Sequence, residues 1–414
     1  MVYTIQAPDK IITSILLPAS KSISNRALIL NVLSNTSFPV KNISDSDDTQ
    51  VMMEAFESKD NLINIGAAGT AMRFLTAYFS QCEGNKIITG SERMKNRPIR
   101  ILVEALRQVG AEISYVKKEG FPPLQIRGRK LRGGEITLDG SVSSQYLSAL
   151  MMIAPLMEKG LTIRLKGNII SRPYIEMTFR LMKLFGIEAL WEEKNIRIAP
   201  QTYIAQPFKV ESDWSAASYW YEIMALAQEN PEIELLGLEE NSLQGDSKSA
   251  KLFEDLGIKT DFLPSGSLRL TRIPADNIHS KLYQYDFVNE PDLAQTLVVT
   301  CCMSGIPFRF SGLQSLKIKE TDRVSALQNE LKKLGYIVKS EPDGIMEWRG
   351  ERCEPEPDPI ISTYEDHRMA MAFAPVCLKT GKISINEPEV VSKSYPGYWE
   401  DLRKTGFQVV LSLL

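Results

Sequence analysis

The stretch LRQVGAEISY at residues 106–115 joins the end of an amphipathic helix to a short strand through Gly110. A glycine at this point supplies the left-handed conformation that closes a helix before the chain turns into a strand. Four further stretches repeat the pattern: MKLFGIEALW (182–191), FEDLGIKTDF (253–262), LKKLGYIVKS (331–340) and LRKTGFQVVL (402–411). An ordinary α/β protein also contains several such joins, so the pattern by itself leaves that alternative open.

The spacing of the five joins favours a repeated unit. Their glycines are 71–78 residues apart in a chain of 414 residues, and a unit of about 70 residues would fit six times. We therefore predict an α/β fold of six units, each containing a βαβ, grouped three and three into two lobes. The weakest copy should lie around residues 52–61, where a long helix is cut short.

The composition is that of a globular protein and excludes several classes. Apolar residues make up 43% and charged residues 24%, which is not the composition of a disordered, collagen-like or coiled-coil chain. Lys and Arg number 48 against 51 Asp and Glu, so neither a nucleic acid nor an anionic membrane is expected as the main partner. With no apolar run of membrane-spanning length and no secretory layout in residues 11–17, we expect a cytoplasmic protein.

The metal-ligating residue types are few. Five cysteines without a C-x-x-C spacing disfavour a disulfide framework and a zinc site, and fit a reducing compartment. His279 and His367 are the only histidines, and no H-E-x-x-H motif occurs. We therefore predict no metal ion.

Cationic side chains collect where helices are predicted to begin: Lys21, Arg26, Arg73, Arg97, Lys319, Arg323, Arg368 and Lys393. Cations are unfavourable at a helix N-terminus, where unpaired N–H groups and the helix dipole attract anions. A bound polyanion would compensate for them. Because these residues come from both halves of the chain, we expect a cleft between two lobes. The Ser and Thr residues at the same helix starts are individually explained as caps.

Nine runs carry a resemblance to a known family: PASKSISNRAL (18–28), GAAGTAMR (66–73), MKNRP (94–98), SSQY (143–146), SRPY (171–174), QGD (244–246), KETDR (319–323), DHRMAM (366–371) and KSYPGYW (393–399). In this order, and over essentially the whole chain, they resemble the EPSP synthase family of enolpyruvyl transferases. The resemblance implies a two-lobed inside-out α/β barrel with six βαβαββ-type repeats arranged three plus three. It places residues 20–211 in one lobe, and residues 1–19 with 212–414 in the other.

The resemblance also implies a reaction. The enolpyruvyl group of phosphoenolpyruvate passes to the 5-hydroxyl of shikimate 3-phosphate, and inorganic phosphate is released. No metal and no organic cofactor is implied, the partners are these two small molecules, and the chain is expected to act as a monomer.

The family's motifs imply two sets of ligands in this chain. The phosphoenolpyruvate ligands are Lys21, Gly69, Arg97, Gln145, Arg323, Arg368 and Lys393. The shikimate 3-phosphate ligands are Lys21, Ser22, Arg26, Ser143, Ser144, Gln145, Ser171, Asp292 and Lys319. Two phosphates and two carboxylates repel each other unless Arg and Lys offset their charges, which suits these residue types.

The resemblance assigns the proton transfers to three residues. Asp292 is the implied base for the attacking hydroxyl, and Glu320 with Lys21 handles the carbon-bound proton. A carboxylate among cations ionises easily, which suits a base better than an acid. The alternative for Glu320 is a capping carboxylate at a helix start. His367 is expected to be a structural hydrogen-bonding residue beside Arg368 rather than a metal ligand.

Three positions depart from the family's pattern: Ala67 stands for a common Asn, Phe74 for a common Pro, and Ser315 for an Asn that often contacts the ring. These changes leave the charged set intact.

Two other functions remain to be separated. The first is the sister transferase that acts on UDP-N-acetylglucosamine, which places Asn after its early Lys and a Cys in its mobile loop. This chain has Ser22 after Lys21 and no Cys in residues 84–96. The second is a non-catalytic protein that binds phosphometabolites, against which Asp292 and Glu320 together argue. Motifs of nucleotide kinases, dinucleotide-binding proteins and serine hydrolases are missing from the sequence.

Overall fold

The computed structural model describes residues 1–35, 38–204, 206–228, 231–273 and 282–412, so His279 lies outside the described residues. The strands within this part of the chain are β1 (Val2–Gln6), β2 (Ile12–Leu16), β3 (Val40–Lys41), β4 (Leu62–Asn64), β5 (Gly84–Thr89), β6 (Glu112–Tyr115), β7 (Leu124–Gly128), β8 (Gly134–Asp139), β9 (Leu161–Lys166), β10 (Ala189–Glu192), β11 (Asn195–Ile198), β12 (Phe208–Lys209), β13 (Glu232–Leu236), β14 (Ile258–Phe262), β15 (Ser267–Arg272), β16 (Tyr283–Asp286), β17 (Phe308–Ser311), β18 (Lys339–Glu341), β19 (Ile345–Trp348), β20 (Ile360–Ile361), β21 (Lys382–Asn386) and β22 (Gln408–Ser412).

The α-helices of the same residues are α1 (Lys21–Leu33), α2 (Asp47–Glu57), α3 (Gly69–Gln81), α4 (Arg100–Gln108), α5 (Ser144–Ile153), α6 (Arg172–Leu184), α7 (Trp214–Leu226), α8 (Ser249–Glu254), α9 (Ala294–Ser304), α10 (Arg323–Lys333), α11 (His367–Phe373), α12 (Cys377–Thr380) and α13 (Tyr398–Lys404). None of these helices has the length and apolar character needed to cross a membrane.

The chain divides into two compact units. The continuous unit is Ala19–Val210, and the discontinuous unit combines Met1–Pro18 with Glu211–Leu414. The continuous unit contains the sheets β4-β5-β7-β6 and β10-β11-β9-β8, and the two-stranded pair β12-β3. The discontinuous unit contains the sheets β20-β21-β1-β22, β14-β15-β13-β2 and β16-β17-β19-β18. Among the residues that the structure describes, each unit therefore holds three sheets, as the predicted grouping of three and three requires.

The five four-stranded sheets share one pairing pattern. In the sheet of β8 to β11, β8 pairs in parallel with β9, β9 antiparallel with β11, and β11 antiparallel with β10. The other four sheets repeat this sequence of one parallel and two antiparallel pairs. In the sheet of β8 to β11, helix α5 supplies the crossover that a parallel pair needs, and a short turn joins β10 to β11. Helix α6 and β10 lie between the antiparallel strands β9 and β11. The expected βαβαββ-type repeat is thus confirmed by strand pairing.

The five helix–glycine–strand joins are all present. Gly110, Gly186, Gly257, Gly335 and Gly406 have φ angles of 106°, 80°, 84°, 87° and 96°, in the region that side chains disfavour. The weak sixth copy is also confirmed. There α2 ends at Glu57, Ser58 is extended, and the chain reaches β4 without a glycine.

Two predicted helices are interrupted by proline. The sequence pattern predicts a helix that opens at Ser143-Ser144-Gln145 and runs through Met157. In the structure, α5 ends at Ile153 and a 3₁₀ turn over Ala154–Leu156, which contains Pro155, follows it. The run Met369 to Leu378 after EDHR (365–368) predicts a second helix. In the structure, α11 begins earlier, at His367, and a 3₁₀ turn at Ala374–Val376 around Pro375 follows it. Proline lacks the N–H that would continue the helical bonds, so each α-helix gives way to a 3₁₀ turn there.

Helices occupy the interior of each unit and sheets form its outer layer. Residues 146–153 of α5, 294–303 of α9 and all of α11 are buried. The strands instead alternate buried and exposed residues, as β7 and β8 show. A helix that is buried on every side must lie inside, and a strand with alternating burial covers a core with one face. This is the inside-out arrangement expected, and it leaves helix N-termini as the places where polar side chains can gather.

Candidate active site

Asp292 lies at the centre of a charged cluster in the discontinuous unit. Its carboxylate is 3.1 Å from Arg323 Nη1, 3.0 Å from Arg368 Nη2 and 3.6 Å from Lys319 Nζ. The residue stands in a 3₁₀ turn, Pro291–Leu293, directly before the buried helix α9. Three cations around one partly exposed carboxylate favour its ionised form. The structure thus brings together four residues that the sequence placed in the site.

Arg323 holds three carboxylates. It donates to Asp366 at 2.7 Å, to Glu320 at 2.8 Å and to Asp292 at 3.1 Å. Burial by itself would lower the pKa of the guanidinium, but the charges of Asp366, Glu320 and Asp292 raise it overall. Arg323 therefore stays charged, and Glu320 has an ion-pairing role that differs from capping its own helix.

Arg368 reaches Asp292 from another helix. The Asp366 carboxylate accepts a bond from the Arg368 backbone N–H at 2.9 Å and so caps α11. The Arg368 guanidinium donates to the Asp292 carboxylate at 3.0 Å and to its backbone carbonyl at 3.1 Å. It also donates to the hydroxyls of Tyr219 at 3.4 Å and Ser215 at 3.5 Å. Its side chain is thus bonded to two elements of the discontinuous unit, the 3₁₀ turn of Asp292 and helix α7.

Lys393 approaches the segment that precedes α11. Its Nζ donates to the Glu365 carbonyl at 2.8 Å. Tyr364 and Glu365 have φ angles of 55° and 54°, a conformation that is strained for residues other than glycine. This backbone turns the Glu365 carbonyl toward the ammonium group, and Lys393 thereby joins the segment that carries Asp366 and Arg368.

In the continuous unit, Lys21 is the first residue of α1. Ser20 caps this helix by accepting from the Ile23 N–H at 3.3 Å. Arg26 lies one turn along and is buried, with bonds to Thr178 (2.7 Å), the Ser22 carbonyl (2.9 Å) and Ser148 (3.1 Å). Burial lowers the pKa of Arg26 to about 10, so it is still charged at neutral pH. Arg26 joins α1 to α5 and α6.

Three of the predicted phosphoenolpyruvate ligands lie around the start of α3. A Cβ placed on Gly69 would be 2.7 Å from Arg97 Nη1, so the guanidinium lies against the backbone there. Gln145 donates to the hydroxyl of Thr70, the next residue, at 3.2 Å. A cation and an amide thus stand at the N-terminus of a buried helix, where the N–H groups favour an anion.

The predicted serine ligands behave differently from one another. Ser143 caps α5 by accepting from the Gln145 N–H at 3.4 Å, and Ser144 is the first residue of that helix. Ser171 precedes α6 with a φ of 52° and makes no capping bond with its side chain. Capping therefore explains Ser143 but leaves the strained Ser171 without that explanation.

The positions that depart from the family's pattern have distinct surroundings. Phe74 is buried, and its ring centroid is 5.3 Å from the Arg26 guanidinium carbon. A cation against an aromatic face is stabilising, so Phe74 supports the buried arginine. Ala67 is exposed, and Ser315 lies half-buried in the 3₁₀ turn Gln314–Ile318.

Several members of the cluster were not predicted from the sequence. Asp246 accepts a short hydrogen bond from the Ser215 hydroxyl, and Tyr219 and Asp366 contact the site arginines. Asp246 and Asp366 lie in the runs QGD and DHRMAM, which carried the resemblance, so the motifs contained a signal for them. Ser215 lies outside those runs and could not be found in that way. Among the described residues, no three His, Cys, Asp or Glu side chains are placed to hold a metal ion.

The fold and these sites define a class: an α/β protein of repeated units in which buried helix N-termini gather cations and carboxylates suited to small anions. Comparison with known proteins narrows the class. The family model described as EPSP synthase (3-phosphoshikimate 1-carboxyvinyltransferase) matches residues 5–58 and 55–402. The chain belongs to the EPSP synthase family, and the resemblance seen in the sequence is confirmed.

Individual relatives agree over their whole length. The curated 3-phosphoshikimate 1-carboxyvinyltransferase of Bacteroides fragilis (strain ATCC 25285) is 57% identical over 410 residues, which are 99% of each chain. That of Vibrio campbellii is 35% identical over 97% of this chain and 98% of its own. A solved EPSP synthase from Acinetobacter baumannii has a TM-score of 0.77 at 19% identity, over 99% of this chain and 100% of that one. The structural match confirms the fold.

Proposed function

We propose that this protein transfers the enolpyruvyl group of phosphoenolpyruvate to the 5-hydroxyl of shikimate 3-phosphate and releases phosphate. The product, 5-enolpyruvylshikimate 3-phosphate, belongs to the shikimate pathway of aromatic amino acid biosynthesis. Membership of the family supports this function, and so do relatives named for it at 57% and 35% identity. The observation that carries it is Asp292 held by Arg323, Arg368 and Lys319, because a carboxylate among cations can accept the proton of a substrate hydroxyl.

The discontinuous unit supplies the base and part of the charge compensation. Asp292 takes the proton of the attacking hydroxyl, and the nearby cations keep its carboxylate ready to do so. Arg323, Arg368 and Lys393 bind phosphoenolpyruvate, and Lys319 binds shikimate 3-phosphate. In the structure, Arg323 and Arg368 are bonded to carboxylates and Lys393 is bonded to a backbone carbonyl. An anionic substrate that binds these cations therefore replaces hydrogen bonds that they already make within the protein.

The continuous unit supplies most ligands of shikimate 3-phosphate. Ser22, Ser143, Ser144, Gln145 and Ser171 bind this substrate, together with Lys21 and Arg26. Gly69, Arg97 and Gln145 bind phosphoenolpyruvate. The contact of Arg97 with the start of α3 and the bond from Gln145 to Thr70 support this assignment, since both are arranged around one helix N-terminus.

The reaction needs three proton transfers, by addition and then elimination. The substrate hydroxyl loses a proton to Asp292 as its oxygen bonds to the central carbon, while the methylene carbon gains a proton and becomes a methyl group. The methyl group then returns a proton as the carbon–phosphate oxygen bond breaks. Glu320 and Lys21 handle the carbon-bound proton in this proposal. The 2.8 Å bond from Arg323 to Glu320 keeps that carboxylate in place.

A phosphate-release assay tests the proposal against its two alternatives. The protein is mixed with phosphoenolpyruvate and either shikimate 3-phosphate or UDP-N-acetylglucosamine. Phosphate release with shikimate 3-phosphate alone is expected. Release with the UDP-sugar would favour the sister transferase, and no release with either acceptor would favour a non-catalytic binding protein.

The functional division of the chain is part of the same proposal. Residues 20–211 form the lobe on the shikimate 3-phosphate side, and residues 1–19 with 212–414 form the other. The enzyme acts as a cytoplasmic monomer. Light scattering during gel filtration should give the mass of one chain, and a larger mass would overturn the monomer.

A further inference from the structure

Asp246 is a buried carboxylate that is linked to the proposed active-site groups through one intervening residue, Ser215. It stands in the 3₁₀ turn Gly245–Lys248, and only 2% of its surface is exposed. Its carboxylate accepts the hydroxyl of Ser215, the second residue of α7. That hydroxyl is in turn 3.5 Å from Arg368 Nη2, which lies 3.0 Å from the Asp292 carboxylate. A continuous path of polar contacts thus leads from Asp246 to Asp292.

We propose that Asp246 is a positioning residue, which acts through Ser215 to fix the Arg368 guanidinium in the orientation that holds Asp292. The proposal rests on the proposed function, because it takes Arg368 as a ligand of phosphoenolpyruvate and Asp292 as the base.

The placement of Ser215 supports this role. Its backbone N–H donates to Asp213, the cap of α7, at 2.7 Å, so the main chain at Ser215 is fixed. Gln244, two residues before Asp246, bonds to the same part of α7: its side chain accepts from the Trp214 N–H at 2.9 Å and donates to Asp213 at 3.3 Å. The turn that carries Asp246 and the start of α7 are therefore held together at several points. A carboxylate so placed can orient a hydroxyl and the guanidinium beyond it.

The electrostatics of Asp246 agree with this geometry. Burial raises the pKa of its carboxyl to about 7, and the charge of Asp292 adds to the increase. Arg368 and the Ser215 hydroxyl oppose the increase, whereas Asp213 adds to it. Three of the four groups that shift the pKa of Asp246, namely Asp292, Arg368 and Ser215, also form the path. The negative charge of Asp292 thus raises the pKa of Asp246 although Arg368 stands between them.

Steady-state kinetics with phosphoenolpyruvate and shikimate 3-phosphate test the role. Asp246→Asn keeps the shape but weakens the hold on Ser215 and Arg368. We expect kcat to fall about 10-fold and KM for phosphoenolpyruvate to rise by a similar factor, with KM for shikimate 3-phosphate within about 2-fold. Asp255→Asn, an exposed carboxylate after α8, is the matched control and should leave all three constants unchanged.

A double-mutant cycle separates positioning from a general loss of structure. Ser215→Ala should reproduce the kinetic effects of Asp246→Asn, and the double variant should be no worse than either single variant, because both break one path. The pH profile of kcat should lose its inflection near pH 7 in Asp246→Asn. The proposal would be overturned if the fold-changes of the two single variants multiplied in the double variant. It would also be overturned if both KM values changed equally, or if the pH profile of kcat were unaltered in Asp246→Asn.

An NMR titration of the Asp carboxyl carbons needs no turnover. Asp246 should titrate near pH 7 in the intact protein. Its pKa should fall in Asp292→Asn, because a negative charge is removed. The electrostatic link between Asp246 and Asp292 would be refuted if Asp246 titrated in the ordinary range and its pKa were unchanged by Asp292→Asn. If the intact protein releases no phosphate but this coupling is present, the proposed function fails while the link between Asp246 and Asp292 stands.

Discussion

The Nε of Arg26 donates to the hydroxyl of Thr178 at 2.7 Å, and that hydroxyl donates to Ser148 at 2.8 Å. A threonine in the middle of α6 therefore serves as the partner of a buried cation from α1. Such a group stabilises the fold only while each of its donors is paired, because an unpaired buried donor retains its full desolvation cost.

Replacing the hydroxyl tests this dependence. Thr178→Val preserves the side-chain shape but removes the acceptor of Arg26, and we expect a loss of about 1–3 kcal/mol in the free energy of unfolding. Thr137→Val, on an exposed position of β8, is the control and should change stability by less than about 0.5 kcal/mol. Chemical denaturation followed by circular dichroism measures both. Equal stability of the two variants would show that Arg26 does not depend on Thr178.

Asp292 provides a test of the proposed base. Asp292→Asn retains the size of the side chain but cannot accept the hydroxyl proton, so kcat should fall by about 10²-fold or more while both substrates still bind. Asp322→Asn is the matched control, since Asp322 caps α10 and Asn caps equally well. Single-turnover phosphate release and equilibrium binding measure the two effects. Undiminished turnover would remove Asp292 from the mechanism.

Glu222 makes the stability of the discontinuous unit depend on pH. It is fully buried in α7, and burial raises its pKa well above the ordinary value, with only partial relief from the Thr300 hydroxyl. The folded protein then binds more protons than the unfolded chain above about pH 4.5, so the free energy of unfolding decreases as pH rises, by at most about 1.4 kcal/mol per pH unit.

A glutamine at this position has no proton to lose. Glu222→Gln should therefore gain stability relative to the intact protein as pH increases from 5 to 8, while the two should be close at the acidic end. Glu232→Gln, exposed at the start of β13, controls for the loss of a surface charge. Thermal melts at a series of pH values measure the difference, and parallel curves for the intact protein and Glu222→Gln would contradict the assignment.

The repeat could be predicted from the sequence because it is local. Each join needs a left-handed residue, and glycine at Gly110 or Gly335 meets that need within the segment itself. At Pro155 and Pro375 the apolar periodicity predicts a continuous helix, whereas the proline interrupts it with a 3₁₀ turn. Strand pairing, by contrast, joins residues far apart: β1 completes a sheet with β21 and β22 from the opposite end of the chain.

The charged site was only partly predictable for the same reason. The sequence predicted Asp292, Arg323 and Arg368 as functional residues. It did not predict that the Asp292 carboxylate would lie between the two guanidinium groups. Ser215 belongs to none of the runs that carried the resemblance, and a serine at a helix start is ordinarily a cap. Only the folded chain shows that its hydroxyl faces Asp246 and Arg368.

A substitution at Gly69 should affect substrate binding without much effect on stability. Gly69→Ala would place a Cβ 2.7 Å from Arg97 Nη1. The obstacle is the end of a flexible side chain, so the guanidinium can move aside at little cost to stability. Moving it displaces a proposed phosphoenolpyruvate ligand. We expect KM for phosphoenolpyruvate to rise about 10-fold, with KM for shikimate 3-phosphate nearly unchanged.

The matched control is Gly397→Ala, where the nearest atom to an added Cβ is 3.8 Å away, an ordinary contact. Both variants should melt within about 2 °C of the intact protein, since neither glycine needs a positive φ. Arg97→Lys should also raise KM for phosphoenolpyruvate. Adding Gly69→Ala to Arg97→Lys should have a smaller effect than Gly69→Ala has in the intact protein, because the guanidinium that an added Cβ would displace is then already absent. A Gly69→Ala enzyme with unchanged KM for phosphoenolpyruvate would show that Arg97 does not bind this substrate from its present position.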